Sequence, residues 1–268
     1  MSDPAQPNNP YEAPTARLSD QTIAGASGDL IENGRRVAAG QGPRWIRRGW
    51  ELFKVAPGAW IGMWLIFIVI VVVASFIPLV GGLINLLVQP LVIGGIMTAC
   101  RSADSGNPVS VSALFSAFSS HPGPLALLGL LQFAAYIGVV LVLGILAAMT
   151  IGGAASMGML KQGPIGSAML VPFIVIGIVA FALFILIAMA NWFSPALIVL
   201  QGVGPIEALR MSFLACLKNM VPFLLYFLVA LLLAIAASLP VFLGWFVLGP
   251  VMLCSIYAAF RDLFFAQA

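Results

Sequence analysis

From Trp60 to Ala259 the chain carries only six charged side chains, Arg101, Asp104, Lys161, Glu207, Arg210 and Lys218, and each lies in a gap between long apolar runs. A run of about 20 apolar residues crosses the roughly 30 Å hydrocarbon core of a bilayer as a helix. Only helices and closed barrels can do this, because backbone N–H and C=O groups find no water to bond in lipid. Hydrophobic residues make up 62% of the chain and charged residues 8%, against roughly 25% charged in soluble domains. That apolar excess needs lipid around it. The fold class is therefore all-α: a polytopic transmembrane helix bundle, six spans as three hairpins, each preceded by an in-plane amphipathic helix.

The spans fall near 59–77, 82–100, 125–149, 169–192, 221–239 and 241–260, within a transmembrane domain over 59–268. Pro78 to Gly82 separates the first pair and Ser238-Leu239-Pro240 the last, so each pair is a tight hairpin. The Gly-rich segment 152–167 is apolar enough for a re-entrant turn to stay open as an alternative. Residues 1–42, with Pro4, Pro7, Pro10 and Pro14 and no helical or strand period, read as a disordered tail. Within it, Asn9 to Pro14 has the composition of a short extended recognition element, although an inert leader fits as well.

Residues 43–58 read as a basic amphipathic interfacial helix. At 100° per residue, Trp45, Ile46, Trp50, Leu52 and Phe53 share one face, and Arg44, Arg47, Arg48, Glu51 and Lys54 the other. The expectation is a helix lying in the interface, aromatics in lipid and arginines toward phosphate, until Pro57-Gly58 breaks it. Two further in-plane helices are expected near 109–121, with Val111, Leu114, Phe115 and Phe118 on the apolar face, and near 205–219, with Ile206, Leu209, Phe213, Cys216, Leu217 and Met220. Each is followed by a proline, Pro122 or Pro222, so the chain reads as three copies of one unit.

With six spans, every Lys and Arg except Lys161 lies on one side, and the positive-inside rule makes that side cytoplasmic. The expected location is a bacterial inner membrane, multi-pass, with both termini in the cytoplasm and the first span acting as an uncleaved targeting signal.

Chemistry-bearing groups are sparse. His121 is the single histidine, Cys100, Cys216 and Cys254 are scattered, and no metal-ligand spacing, phosphate loop or nucleophile motif occurs. No catalytic residues, metal or cofactor are expected, and the chain does not read as an enzyme. The spans hold no acidic or basic side chain, which argues against ion-coupled transport. Their polar residues at depth are Asn85, Gln89, Gln132 and Asn191, which suit interhelical bonding or, as the weaker reading, a polar cavity. Small residues four apart (Gly58 with Gly62, Ala134 with Gly138, Ala230 with Ala234 and Ser238) fit close packing within the bundle or a homo-oligomer face, and a protein partner is left open. Arg35, Arg36, Arg44, Arg47, Arg48 and Lys54 suit the headgroups of membrane lipids, anionic phospholipids above all. Nucleic acid is not expected, since Trp45 and Trp50 lie opposite the arginines. Two functions follow: a lipid-engaged scaffold or accessory membrane subunit, or a passive transporter or channel for a small neutral or amphiphilic solute.

The stretch Trp45 to Phe53, the Pro57-Gly58-x-Trp60 break, the ending Tyr257-Ala258-Ala259-Phe260-Arg261-Asp262-Leu263-Phe264 and the Asn9-Pro10-Tyr11-x-x-Pro14 tail together resemble an uncharacterised family of bacterial inner-membrane proteins. A more distant similarity is to the membrane domain that accompanies some glycerophosphodiester phosphodiesterases. No phosphodiesterase domain is present, so that activity does not transfer. Neither resemblance supplies functional residues.

Overall fold

The computed structural model describes residues 29–78, 81–156 and 165–266. The Asn9–Pro14 segment and the centre of the 152–167 segment lie outside the described residues. Among the described residues ten α-helices follow in order: α1 (Gln41–Val55), α2 (Pro57–Ser75), α3 (Gly81–Asp104), a 3-10 turn (Val111–Phe115) leading into α4 (Ser116–Ser120), α5 (Pro122–Ser156), α6 (Ile165–Asn191), α7 (Ser194–Gln201), α8 (Pro205–Lys218), α9 (Met220–Ser238) and α10 (Trp245–Phe264). There is no strand among the described residues. Among the described residues six helices, α2, α3, α5, α6, α9 and α10, are long and apolar enough to cross a membrane, as the hydropathy pattern predicts. Pro57 and Pro205 stand in the first turn of α2 and α8, where the missing N–H has no helical partner to lose. The 35 residues of α5 extend about 52 Å at 1.5 Å per residue, so this helix must tilt strongly or project beyond the apolar core.

The helices pack cyclically. The 3-10 turn and α4 pack on α3, and α8 packs on α6; in each case the short lead-in sits on the second span of the hairpin before it. The first helix closes the circle, because α1 packs along α10, the last span. Three units thus form a pseudo-threefold ring at the end of the molecule that carries the charges. Glycines permit two of these seatings: a Cβ on Gly49 would lie 2.6 Å from the Val251 carbonyl oxygen, and one on Gly95 would collide with that of Leu114. Between neighbouring hairpins, α3 packs on α5 and α10 on α2. The equivalent pair, α6 with α9, does not pack lengthwise, so the ring is open on that side.

Several expectations need correction. Trp45 (2% exposed), Ile46, Leu52 and Phe53 are buried against protein rather than lipid, and of that face only Trp50, 43% exposed, stays outside. Amphipathicity shows that a face seeks apolar surroundings but not which surroundings. In α8 the buried face is Ala208, Met211, Ser212, Ala215 and Cys216, while Ile206 (71% exposed) and Leu217 point outward, as does Met220 at the start of α9. Small side chains let helices approach closely, and the bulky ones are left to lipid. Around 109–121, Leu114 and Ala117 enter the core but Phe115 and Phe118 do not. Of the small residues, Gly58 and Gly138 face open space, whereas Gly62 lies against Val111 and Ala230 packs on the core.

The segment expected as tail up to residue 42 ends in an ordered strap. Ile31 N–H donates to the Phe264 carbonyl (2.9 Å) and Arg35 N–H to that of Leu263 (2.8 Å). The Asn219 side chain accepts from Val37 N–H and donates to the Arg35 carbonyl, each at 2.9 Å. Asn33 and Gly34 turn the strap with φ of 61° and 65°, a conformation open to Gly and, less easily, Asn. The buried helix α7 was not expected at all.

Candidate functional site

Inside the bundle, at the axis of the ring, lies a cavity of about 420 Å³ bordered by all six spans. Sites for small ligands run to roughly 300–1,000 Å³ and are mostly apolar with a few placed polar groups. Three of the four predicted amides converge here: Gln89 from α3, Gln132 from α5 and Asn191 at the end of α6. Gln132 donates to the Tyr136 hydroxyl (3.2 Å) and Asn191 to the Ile187 carbonyl (3.0 Å), while Gln89 makes no side-chain hydrogen bond among the described residues. Asn85 does not join them. Its amide nitrogen lies 3.2 Å from Ser75 Oγ and 3.4 Å from the Val71 carbonyl, tying α2 to α3.

Sequence reasoning missed the indoles. Trp64 and Trp192 both line the cavity, and the Nε1–H of each is buried without an acceptor among the described residues. A buried unpaired donor costs about 1–3 kcal/mol; the Trp64 indole edge lies against Gly249, and neither nitrogen is exposed to the cavity. No charged side chain among the described residues borders the cavity. Trp192 also stands at the open α6–α9 side, 5.3 Å from Phe227 and 6.2–6.3 Å from Phe223 and Tyr226, closing it at the charged end.

A second cavity, about 430 Å³, lies at that charged end between α1, the end of α3 and the end of α10. Asp104 is its pivot: Oδ1 accepts from Arg48 (2.9 Å), and Oδ2 accepts from the Tyr257 hydroxyl (3.2 Å) with Arg261 at 3.5 Å. Asp262, 7% exposed, accepts from Trp45 Nε1 (2.8 Å) and pairs with Arg35 (2.5 Å). Of the predicted basic residues, Arg44, Arg47 and Arg48 line this cavity, Arg35 is held behind it by Asp262, and Arg36 and Lys54 lie outside it. Asp104, Tyr257, Arg261 and Asp262 were visible in the sequence only as a stray charge and a terminal motif. Arg48 also bonds Glu51 (2.8 Å), which holds the Glu51 carboxyl below its ordinary value and raises that of Arg48. Because the carboxyl is depressed, the pair's contribution is in place above the ordinary carboxylate range and is lost as pH falls through the lowered value; both groups are exposed, so solvent screens it.

The cysteines are not all apart, as their spacing implied. Cys100 and Cys254 are buried with their sulfurs 3.9 Å apart at the α3–α10 contact, and Cys216 is buried beneath α8, its thiol pushed up to about 12 by desolvation.

Six apolar spans around an uncharged cavity define a polytopic helical membrane protein. Among curated proteins, the chain is similar to a probable inner membrane protein of Burkholderia thailandensis. The two are 28% identical over 255 residues, covering 86% of this chain and 93% of that protein. This agrees with the resemblance to uncharacterised inner-membrane proteins. No family model and no solved structure matches the chain, so the likeness to phosphodiesterase-associated membrane domains gains no support.

Proposed function

We propose that this is a bacterial inner-membrane protein that admits a small neutral amphiphile from the bilayer into its central cavity, as a passive binder or transporter rather than an enzyme. The convergence of Gln89, Gln132 and Asn191 on one cavity carries this reading. A scaffold would call for a filled bundle, and the axis of this one is not filled. The uncharged wall disfavours ionic solutes, because a charge in such surroundings lacks the partner that would offset its desolvation. The Gln89 amide, which makes no side-chain hydrogen bond among the described residues, favours hydroxyl, ether or carbonyl oxygen on the solute. The open α6–α9 side gives a route from lipid that avoids the charged end.

Trp64, Trp192 and Trp245 all border the cavity, so a brominated long-chain alcohol bound there quenches their fluorescence. Titration of the purified protein in mild detergent is expected to show a saturable quenching phase. Ala188→Phe, which places a ring in the cavity, is expected to remove that phase while leaving the thermal transition in place. Quenching that is non-saturable, or that is unchanged by A188F, overturns the reading.

A further inference from the structure

Independently of the central cavity, we propose that the charged-end pocket binds a phosphate-bearing anion. Four arginines, Arg44, Arg47, Arg48 and Arg261, border it, against the carboxylates of Glu51, Asp104 and Asp262. The carboxylates are already engaged: Asp104 by Arg48, Arg261 and Tyr257, Asp262 by Arg35 and Trp45, and Glu51 by Arg48. Arg44 and Arg47 enter no ion pair among the described residues, although both line the same space. The positive charge facing the pocket therefore exceeds what its own acids can neutralise.

Geometry favours phosphate. A guanidinium presents a planar fork that matches phosphate oxygens two at a time. Both terminal nitrogens of Arg48 bond carboxylates, of Glu51 and Asp104, so Arg44 and Arg47 are the guanidinium forks best placed to take the anion, with Arg48 and Arg261 held beside them by Asp104. About 430 Å³ accommodates a phosphoryl group with its ester substituents and water. The depth is also suitable: α1 ends at Val55, the apolar span α2 begins at Pro57, and exposed Trp50 stacks on Phe53 at 5.4 Å. An exposed Trp beside basic residues is a feature of the headgroup layer. The pocket thus lies where a phospholipid phosphate lies, and is equally reachable by a soluble phosphate ester from the aqueous side.

The test uses the full chain in a neutral detergent and reads its thermal midpoint. One arm adds phosphatidylglycerol, a second adds glycerol 3-phosphate, and phosphatidylcholine and sodium chloride are the controls. A saturable upward shift with either phosphate anion, but not with the controls, is expected; the arm that responds names the source. Arg44→Gln with Arg47→Gln is expected to weaken that response about tenfold, which corresponds to 1.4 kcal/mol. Arg36→Gln with Lys54→Gln removes the same charge outside the pocket and is expected to leave it intact. No shift in either phosphate arm, or equal losses in the two double variants, overturns the proposal, the latter because it reduces the effect to diffuse surface charge.

Discussion

Trp45 shows how one side chain redirects a helix. Its ring lies 5.3 Å from Phe223 and 6.1 Å from Tyr226, and its Nε1–H donates to Asp262. Lipid matches the first property but not the second, because only a protein interior supplies a fixed carboxylate. Trp45→Phe keeps the ring and removes the donor, and the thermal transition in detergent is expected to show a loss of about 1.5–3 kcal/mol, the range for a hydrogen bond to a charged group. An unchanged transition would show that Asp262 does not depend on the indole. The amides teach a related lesson. Sequence places Asn85 and Gln89 one turn apart at similar depth, but it does not show that the α2–α3 turn diverts Asn85 to Ser75. Depth is written in hydropathy, and rotation about the helix axis is set by neighbours that hydropathy does not name.

At the level of the element, the amphipathic lead-ins were legible and their partners were not. Apolar periodicity marks a face, but α1 buries that face on α10 and α8 turns its small residues to α6. The glycines that decide these contacts, Gly49 and Gly95, were not the ones singled out, since four-residue spacing within one helix says nothing about what the other helix presents. Helix α7 was hidden because Ser194 to Gln201 extends the apolar run of α6 with a break of only two residues. Gly49→Leu forces a branched side chain against the Val251 backbone. Overpacking of this kind costs about 1–3 kcal/mol, and α1 is expected to lift from α10. Limited proteolysis should then cut near Ala56 in the variant while sparing the parent chain. Equal resistance in both would contradict the tight seating of α1.

At the level of the whole molecule, the six spans were readable because bilayer thickness fixes how long an apolar run must be. Ring closure was not, because the pairing of α1 with α10 joins opposite ends of the chain and leaves no local mark. Closure puts the carboxylate pivots Asp104 and Asp262 at one end and leaves α6 and α9 without a lengthwise contact. Both proposed sites depend on that polarity: the amide-lined cavity must lie within the hydrocarbon and the arginine pocket at its surface. Single cysteines test this most directly, because the native Cys100, Cys216 and Cys254 are all buried. Ser105→Cys and Ser119→Cys mark the charged end, and Phe76→Cys and Leu239→Cys the opposite turns, all at exposed positions. In right-side-out spheroplasts, an impermeant maleimide is expected to label positions 76 and 239 at once, and 105 and 119 only after permeabilisation. Labelling of the two ends together, or in the reverse order, would contradict six crossings with the arginines held inside.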